Sequence, residues 1–278
     1  MTERPPAPAG STGEQPDIDT TVAHAARVYD YMLGGTTNFE ADRAASHAAA
    51  QLVPGGHDTV TAGLLANRAF LARAVRHLTA EVGMRQFLDI GSGIPANDNV
   101  HEVAQQIAPE SRVVYVDYDP IVLAHSHQLL RSSPEGVTTY LQEDMRNPER
   151  VIEQAAATLD FTRPVALLLV AILHFFPDDT DPDGIVRRLV DALPSGSHLV
   201  VSHLARDVLD LDATYDRLNE ATHETFVLRT HDEVSRFFAG LELLDPGVVL
   251  VDQWRPDPDA AAHDGPMLPI YGGVARKP

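Results

Sequence analysis

Short apolar runs alternate with stretches of helical periodicity over the central part of the chain. The apolar runs cover residues 86–90, 113–116, 137–141, 165–170 and 197–202. The helical patterns between them cover residues 99–107, 120–130, 150–159 and 184–193. Runs that are apolar throughout, rather than at every second position, are typical of strands buried on both faces. The alternation therefore predicts an α/β fold, in which helices cover both faces of a parallel sheet.

The C-terminal part departs from this alternation. A helical pattern at 229–240 is followed by apolar runs at 248–251 and 270–275, with a Pro- and Asp-rich loop between the two runs. Because this loop has no room for a crossover helix, we expect the two strands to be antiparallel. Residues 206–225 have a further helical pattern, which we interpret as an insertion. The α/β domain is thus predicted to span 83–278.

The N-terminal part is predicted to form a tail and a helical cap. Residues 1–19 are rich in Pro, Gly and polar side chains, a composition typical of disorder. Residues 20–82 contain two helical patterns, and two consecutive glycines end the first. In the second pattern, Leu64 and Leu71 are assigned to the apolar face and Arg68 to a different face.

The strongest local signal lies where the first strand ends. Apolar residues lead into Gly91, Ser92 and Gly93, and a helix follows. Glycines allow a sharp backbone turn and the close approach of a ligand to the main chain. Because open α/β sheets bind ligands at the carboxyl ends of their strands, this glycine turn is the predicted binding site.

Acidic side chains follow the next two strands. Asp117 ends the second strand, and its carboxylate can accept both hydroxyls of a ribose. Asp144 follows the third strand and can accept the amino group of an adenine, with Met145 packed on the ring. Taken singly, the glycines also fit a turn without a ligand, Asp117 fits a helix N-cap and Asp144 fits a solvated loop. Their occurrence at three successive strand ends favours a nucleoside-containing ligand.

Asp89 distinguishes two classes of nucleotide site. The segment from Gly91 to Ala96 also fits the G-x-G-x-x-A pattern of dinucleotide-binding proteins. Those folds usually have a small or apolar residue two positions before the first glycine, where this chain has Asp89. An acid at that position suits a ligand that carries an ammonium group beside its nucleoside.

Composition narrows the classes of function. The formal charge of −19 disfavours a nucleic-acid partner, because phosphate backbones are repelled. The absence of cysteine excludes disulfides and thiolate chemistry and fits a cytoplasmic location. No apolar run approaches the length of a membrane span, so we expect no membrane partner. The histidines show no metal-binding pattern, and we predict no metal.

Several blocks of the sequence together resemble a family of S-adenosyl methyltransferase-like proteins from high-GC bacteria, long catalogued as a domain of unknown function. The blocks, which begin with ARVYDYMLGG, cover residues 26–35, 38–39, 41–43, 67–70, 86–95, 101–105, 114–117, 173–175 and 202–203. The resemblance implies the class I methyltransferase fold, a Rossmann-like seven-stranded sheet with an antiparallel last strand. It also implies S-adenosylmethionine as cofactor and S-adenosylhomocysteine as product, but no particular methyl acceptor.

The cofactor-binding residues that we predict are Tyr31, Asn38, Asp89, Gly91, Ser92, Gly93, Asp117, Tyr118, Asp144, Met145 and Ala171. Tyr31 and Asn38 belong to the cap, where aromatic, amide and glycine residues in one turn indicate a lid over the pocket. The alternative is a helix that packs on the α/β core. The chain departs from the class I pattern at Pro95, where such motifs often have a third glycine.

Two histidines are candidates for a general base on the acceptor side. Methyl transfer from a sulfonium depends mainly on alignment of the nucleophile, and a base is needed only for a poor nucleophile. His174 follows the fourth strand and titrates near neutral pH in its ordinary state, and His203 ends the fifth strand. Either side chain could instead be a hydrogen-bonded wall residue.

Three functions stay open at this point. The leading interpretation is a methyltransferase that acts on a small-molecule substrate. A homodimer is one oligomeric state that the sequence allows. The first alternative is a regulatory protein that binds S-adenosylmethionine or S-adenosylhomocysteine without catalysis. The second is an NAD-dependent oxidoreductase, which is disfavoured by Asp89, by the two closing strands and by the lack of a Tyr-x-x-x-Lys pair.

Overall fold

The computed structural model describes residues 19–96, 98–120, 122, 132–222, 225–258 and 265–278, without the side chains of 218 and 220–222. Its strands are β1 (Gln86–Ile90), β2 (Arg112–Asp117), β3 (Val137–Gln142), β4 (Ala166–Val170), β5 (His198–Leu204), β6 (Glu242–Leu243), β7 (Val249–Leu250) and β8 (Ile270–Arg276). The predicted tail at 1–19 lies outside the described residues except for Asp19. The helix predicted at 120–130 lies outside them except for Pro120 and Val122.

The eight strands of the described residues belong to one sheet. Its order is β3-β2-β1-β4-β5-β8-β6, and β7 also pairs with β8. Strands β1 to β5 are parallel to one another, whereas β8 is antiparallel to β5, β6 and β7. The direction of winding reverses between β1 and β4, which leaves a crevice at the carboxyl ends of the strands. The predicted α/β sheet with an antiparallel last strand is confirmed.

The described helices are α1 (Ala25–Met32), α2 (Glu40–Leu52), α3 (Gly56–Ala80), α4 (Val100–Ile107), α5 (Pro148–Ala155), α6 (Pro182–Asp191), α7 (Asp212–Thr222) and α8 (His231–Arg236). Helices α3 and α4 pack on one face of the sheet, where Phe70 and Val103 join its core. Helices α5 and α6 cover the other face with Val151 and Leu189. The sheet is therefore buried on both faces, as its continuously apolar strands require.

Two details differ from the sequence-based expectation. Helix α5 begins at Pro148, earlier than the predicted 150–159, because proline is favoured in the first turn of a helix. Strand β6 was not predicted. Its two residues are both exposed, so it has no apolar run that periodicity could detect.

Asp42 holds the helices of the cap together. Its carboxylate lies 2.9 Å from Nε of Arg27 in a fully buried ion pair. The same carboxylate accepts hydrogen bonds from the main-chain amides of His24, at 2.9 Å, and Phe39, at 2.8 Å. Because these amides lie at the starts of α1 and α2, one side chain fixes both helix starts.

The N-terminal helices also contact α7, which lies in the segment predicted to be an insertion. Thr214 Oγ1, at the start of α7, donates a hydrogen bond of 3.0 Å to the carbonyl of Leu52 at the end of α2. Helices from both segments therefore stand over the carboxyl edge of the sheet. Among the described residues, no helix has the length and apolarity that a membrane crossing requires.

Candidate active site

A cavity of about 600 Å³ opens at the carboxyl ends of β1 to β4. Helices α1, α2, α3 and α7 enclose it opposite the sheet. All but two of the predicted site residues line it, namely Asp89, Gly91, Ser92, Gly93, Asp117, Tyr118, Asp144, Met145, Ala171, His174 and His203. This is the edge of an open α/β sheet at which ligands bind.

At the glycine turn, main-chain atoms without side chains line the cavity. Gly91 and Gly93 have φ angles of +74° and +63°, a region that L side chains rarely adopt. A Cβ atom on Gly91 would lie 2.5 Å from Cγ1 of Ile172, so the turn packs directly against the segment after β4. The amide of Gly91 donates to the carbonyl of Val116 at 2.8 Å, which links the turn to β2.

Tyr140 supports the glycine turn from β3. Its hydroxyl donates a hydrogen bond of 3.1 Å to the carbonyl of Gly93 and also contacts the hydroxyl of Ser92. The Tyr140 ring stacks on Tyr115 of β2, with ring centroids 5.3 Å apart. Three neighbouring strands therefore fix the turn, and Ser92 is held by Tyr140 while it faces the cavity.

Asp117 is oriented by two main-chain hydrogen bonds. One carboxylate oxygen accepts the amide of Gly93 at 2.9 Å, and the other accepts the amide of Asp119 at 3.1 Å. Burial raises the pKa of Asp117 above its ordinary value, although both hydrogen bonds act in the opposite direction. The carboxylate is thus positioned before any ligand arrives, with further acceptor capacity on the cavity side.

Asp89 is a buried carboxyl group on β1, only 6% exposed. Burial raises its pKa to about 7, the negative charge of Asp117 adds to the rise, and the positive charge of Arg68 opposes it. A buried carboxylate that lacks sufficient positive charge favours a cationic ligand group. The buried carboxyl group of Asp89 therefore fits the ammonium of the cofactor's amino-acid part.

Arg68 is a site residue that the sequence analysis missed. It lines the cavity together with Leu64 and Leu71, so its predicted placement on a different face of the helix is wrong. Positions 64, 68 and 71 are spaced by four and three residues, which puts them on one side of α3. An arginine within an otherwise apolar helical stripe was the signal that could have revealed it.

The cap contributes a second residue that was missed. Nε2 of His24 lies 2.8 Å from Oδ2 of Asp119, in the loop after β2, and both residues line the cavity. The start of α1 is therefore joined to the segment that orients Asp117. His24 has no sequence signal of its own, because its role depends on a loop far along the chain.

The end of β3 presents Asp144 and Met145. Met145 is buried on the cavity wall. Oδ2 of Asp144 accepts a hydrogen bond of 2.8 Å from Nε of Arg146. Partial burial raises the pKa of Asp144, but the hydrogen bonds and charge of Arg146 outweigh it and lower the pKa below the ordinary value. Tyr118, which follows β2, is 57% exposed at the rim.

The segment after β4 has an unusual backbone. Ala171 has a φ angle of +55°, and its amide donates to the Ser202 hydroxyl at 3.0 Å. Non-glycine residues in this conformation are strained, and such strain is concentrated at functional sites. The short helical turn Leu173–Phe175 follows and places His174 on the cavity wall.

His174 and His203 differ in their hydrogen bonding. Nδ1 of His174 is buried without a hydrogen-bond partner among the described residues. Burial lowers the pKa of His174 well below the ordinary value, and the nearby His203 and Arg229 lower it further. Histidine at this position is therefore neutral at physiological pH.

Both ring nitrogens of His203 are engaged. Nδ1 lies 2.9 Å from the carbonyl of Leu204, and Nε2 lies 2.7 Å from Nη1 of Arg229. Since a guanidinium only donates, Nε2 accepts and Nδ1 carries the proton. Burial lowers the pKa of His203 to about 4. The ring has no nitrogen available to remove a proton from a substrate, which argues against its predicted role as a base.

Tyr31 and Asn38 are not brought to the cavity. The hydroxyl of Tyr31 lies 3.0 Å from Nε2 of His47, on the outer side of the cap. The side-chain nitrogen of Asn38 donates to Asp30 at 2.9 Å, and its oxygen accepts from Arg43 at 3.0 Å. These contacts build the turn between α1 and α2, so we omit both residues from the cofactor site.

The sheet order, the glycine turn and the carboxylates at three strand ends define a class I methyltransferase that uses S-adenosylmethionine. The chain belongs to the S-adenosyl methyltransferase family, which it matches over residues 11–278. Among the described residues, no cluster of three or more potential metal ligands occurs.

Two solved structures are similar over nearly the whole chain. A DUF574 family protein from Streptomyces avermitilis MA-4680 is 46% identical, with a TM-score of 0.87 over 94% of this chain and 99% of that one. A protein from Thermobifida fusca YX, provisionally described as a methyltransferase, is 38% identical, with a TM-score of 0.85 over 96% and 99%.

A more distant structure supports the fold alone. An S-adenosylmethionine-dependent methyltransferase from Anabaena variabilis ATCC 29413 is 15% identical, with a TM-score of 0.53 over 94% of this chain and 98% of that one. No curated protein matches the chain. The chain is an S-adenosylmethionine-dependent methyltransferase.

Proposed function

We propose that this methyltransferase modifies a small-molecule acceptor enclosed between the sheet, the cap and α7. The observation that carries the proposal is the continuity of the cavity, which extends from Asp117 to Tyr215 and Phe226 within about 600 Å³. Cavities of this size enclose small molecules. The formal charge of −19 opposes a nucleic-acid acceptor.

The amino-acid part of the cofactor is assigned to Asp89 and Arg68. Its ammonium would compensate the buried Asp89 carboxyl group, whose pKa is raised to about 7 by burial. Its carboxylate suits the guanidinium of Arg68, because arginine pairs with carboxylates through two parallel hydrogen bonds. Gly91 and Gly93 leave the space that this part of the molecule needs.

The nucleoside is assigned to the ends of β2 and β3. Asp117 would accept the ribose hydroxyls, and Met145 would pack on the adenine ring. Asp144 would accept a hydrogen bond from the adenine amino group, because its pairing with Arg146 leaves some of the carboxylate lone pairs unused. Tyr118 at the rim would limit access of water to the nucleoside.

Bound S-adenosylmethionine supplies an electrophilic methyl group on a positively charged sulfur. The residues of the chain align an acceptor atom with that methyl group and exclude water, which is the main requirement for this displacement. Ile172 packs against Gly91, so the wall formed by residues 171–174 adjoins the glycine turn beside the amino-acid part of the cofactor. His174 belongs to this wall and can accept a hydrogen bond from the acceptor in its neutral state.

Calorimetry tests the cofactor part of this proposal. We expect the protein to bind S-adenosylmethionine and S-adenosylhomocysteine, and to bind NAD at least ~100-fold more weakly. Asp117→Ala should lose affinity for both adenosyl compounds. Asp191→Ala is the matched control, because Asp191 is exposed at the end of α6 and does not line the cavity. Equal losses of affinity in the two variants would show that Asp117 does not bind the cofactor.

Turnover tests the acceptor part. A panel of small molecules and a duplex DNA are offered together with S-adenosylmethionine, and formation of S-adenosylhomocysteine is measured. We expect product only with small molecules, and only in the protein with Asp117 intact. Methylation of the DNA alone would overturn the proposal. Cofactor binding without turnover on any acceptor would favour a regulatory protein instead.

A further inference from the structure

Four aromatic side chains form one wall of the cavity beyond the cofactor residues. They are His174, Phe175, Tyr215 and Phe226, which we call the aromatic chamber. The centroids of Phe175 and Phe226 lie 5.0 Å apart, and those of Tyr215 and Phe226 lie 6.1 Å apart. His174 and Phe226 are nearly parallel, with an interplanar angle of 14°. Ring faces and edges at these separations form a surface that suits a planar aromatic ligand.

The chamber contains no charged side chain among the described residues. The cavity is also lined by the neutral His203, whose ring lies 6.0 Å from that of His174, and by apolar residues and threonines such as Leu204 and Thr214. The carboxylates that line the cavity lie in β1, at or just after the end of β2 and after β3, at the cofactor end. A charged acceptor would lose its hydration in the chamber without gaining an ion partner, so the site favours a neutral one.

The chamber contains two buried polar groups. Nδ1 of His174 is buried and makes no hydrogen bond within the described part of the chain. Tyr215 is 7% exposed, and burial raises the pKa of its hydroxyl. Buried polar groups are normally satisfied, so Nδ1 of His174 points to a ligand that supplies the missing partner.

The charge behind the chamber discriminates between neutral and cationic ligands. Arg229 is buried next to His203 and opposes protonation of His174, whose pKa is already lowered by burial. Arg229 also pairs with the exposed Asp178 at 2.8 Å, and the positive charge that this pairing leaves opposes an ammonium on the ligand. An aliphatic amine is therefore penalised, whereas an uncharged hydroxyl is not.

From these observations, we propose that the methyl acceptor is a planar aromatic compound whose hydroxyl oxygen lies against His174 and Tyr215 in the aromatic chamber. This inference rests on the proposed function. In the transfer, a lone pair of the hydroxyl oxygen forms the new O–C bond while the S–C bond breaks and its electrons pass to sulfur. The hydroxyl oxygen is held against His174, which stays neutral, and the hydroxyl proton is released to solvent.

Binding of simple probes to the protein saturated with S-adenosylhomocysteine tests this inference. The probes are naphthol, the cationic naphthylmethylamine and the saturated alcohol decalinol. We expect naphthol to bind at least ~10-fold more tightly than either of the others, since only naphthol combines a flat ring with an uncharged hydroxyl. Naphthol should also be methylated on oxygen when S-adenosylmethionine is supplied.

Two variants locate the naphthol site. Phe226→Leu removes a ring, and Tyr215→Phe removes a hydroxyl. Each should weaken naphthol binding by about 3- to 10-fold, the range expected for one ring pair or one hydrogen bond. Phe161→Leu is the matched control, because Phe161 packs in the core beside the other face of the sheet and does not line the cavity. Affinity for S-adenosylhomocysteine should be unchanged in all three variants.

The outcomes separate this inference from the proposed function. Equal binding of naphthol and naphthylmethylamine, equal binding of naphthol and decalinol, or an effect of Phe226→Leu no larger than that of Phe161→Leu would overturn the aromatic-hydroxyl acceptor. Absence of naphthol binding would do the same. In each of these cases, intact binding of S-adenosylhomocysteine leaves the proposed cofactor site standing, whereas its loss would count against the proposed function.

Discussion

The amide of Gly93 donates a hydrogen bond of 2.9 Å to the carboxylate of Asp117. This contact joins the turn after β1 to the end of β2, so the backbone that approaches the ligand and the acid assigned to the ribose are held in one unit. The second oxygen of Asp117 is held by the amide of Asp119. Such positioning before binding reduces the entropy that a ligand must lose.

Substitution of Asp117 should separate its two roles. Asp117→Asn keeps the size of the side chain but replaces one acceptor oxygen by a donor. We expect affinity for S-adenosylhomocysteine to fall by about 10- to 100-fold, because a hydrogen bond to a charged group contributes ~1.5–3 kcal/mol. Calorimetry measures the loss. An affinity within twofold of the wild type would show that the ribose does not use this carboxylate.

The pH dependence of cofactor binding should report the ionisation of Asp89. Burial raises its pKa to about 7 in the free protein, and only the carboxylate can pair with an ammonium. Affinity for S-adenosylhomocysteine should therefore fall by about tenfold for each pH unit below 7. Binding at pH 6 should release close to one proton, which calorimetry in buffers of different ionisation enthalpy detects. Asp89→Asn should bind weakly and without this pH dependence.

The same carboxyl group should lower the stability of the free protein. A carboxyl group whose pKa is raised on folding contributes stability that is present below the unfolded pKa of about 4 and is lost as the pH rises to about 7. At pH 8, Asp89→Asn should therefore melt several degrees above the wild type, and the difference should vanish near pH 4. A variant less stable than wild type at pH 8 would contradict the assigned environment of Asp89.

Strand and helix alternation was sufficient to predict the sheet, because burial on both faces leaves continuous apolar runs. The antiparallel closing strand followed from the short connection before it. Strand β6 could not be predicted, since Glu242 and Leu243 are exposed and acquire strand geometry only by pairing with β8. Local pattern identifies elements that carry their own hydrophobic signal, and not those defined by a neighbour.

The site divides in the same way. The place of Gly91, Gly93 and Asp117 on the cavity was predictable because each stands at the end of a recognisable strand. Tyr31 and Asn38 were assigned to the pocket from residue type alone, but their partners lie within the cap and hold them away from the cavity. Residue type indicates what a side chain can do, whereas the direction in which it points depends on packing.

The last prediction concerns Arg229. This residue anchors the wall formed by residues 171–174, beside the proposed site of the methyl acceptor, and contacts none of the residues assigned to the cofactor. It is 3% exposed and donates to the carbonyls of Leu173, at 3.1 Å, and Phe176, at 2.9 Å. It also donates to Nε2 of His203. Arg229→Lys keeps the positive charge but cannot reach these acceptors together, because an ammonium lacks the planar fork of a guanidinium.

We expect this variant to lose ~2–4 kcal/mol of stability, since buried acceptors are left unsatisfied, and to melt about 5–15 °C lower. The kcat of this variant for methyl transfer should fall by at least ~10-fold, because the wall that carries His174 loses its anchor. Its affinity for S-adenosylhomocysteine should stay within about twofold of the wild-type value. Arg236→Lys, at an exposed arginine of α8, is the control and should change none of these quantities. If Arg229→Lys weakens cofactor binding as much as turnover, Arg229 supports the whole site and not the acceptor wall alone.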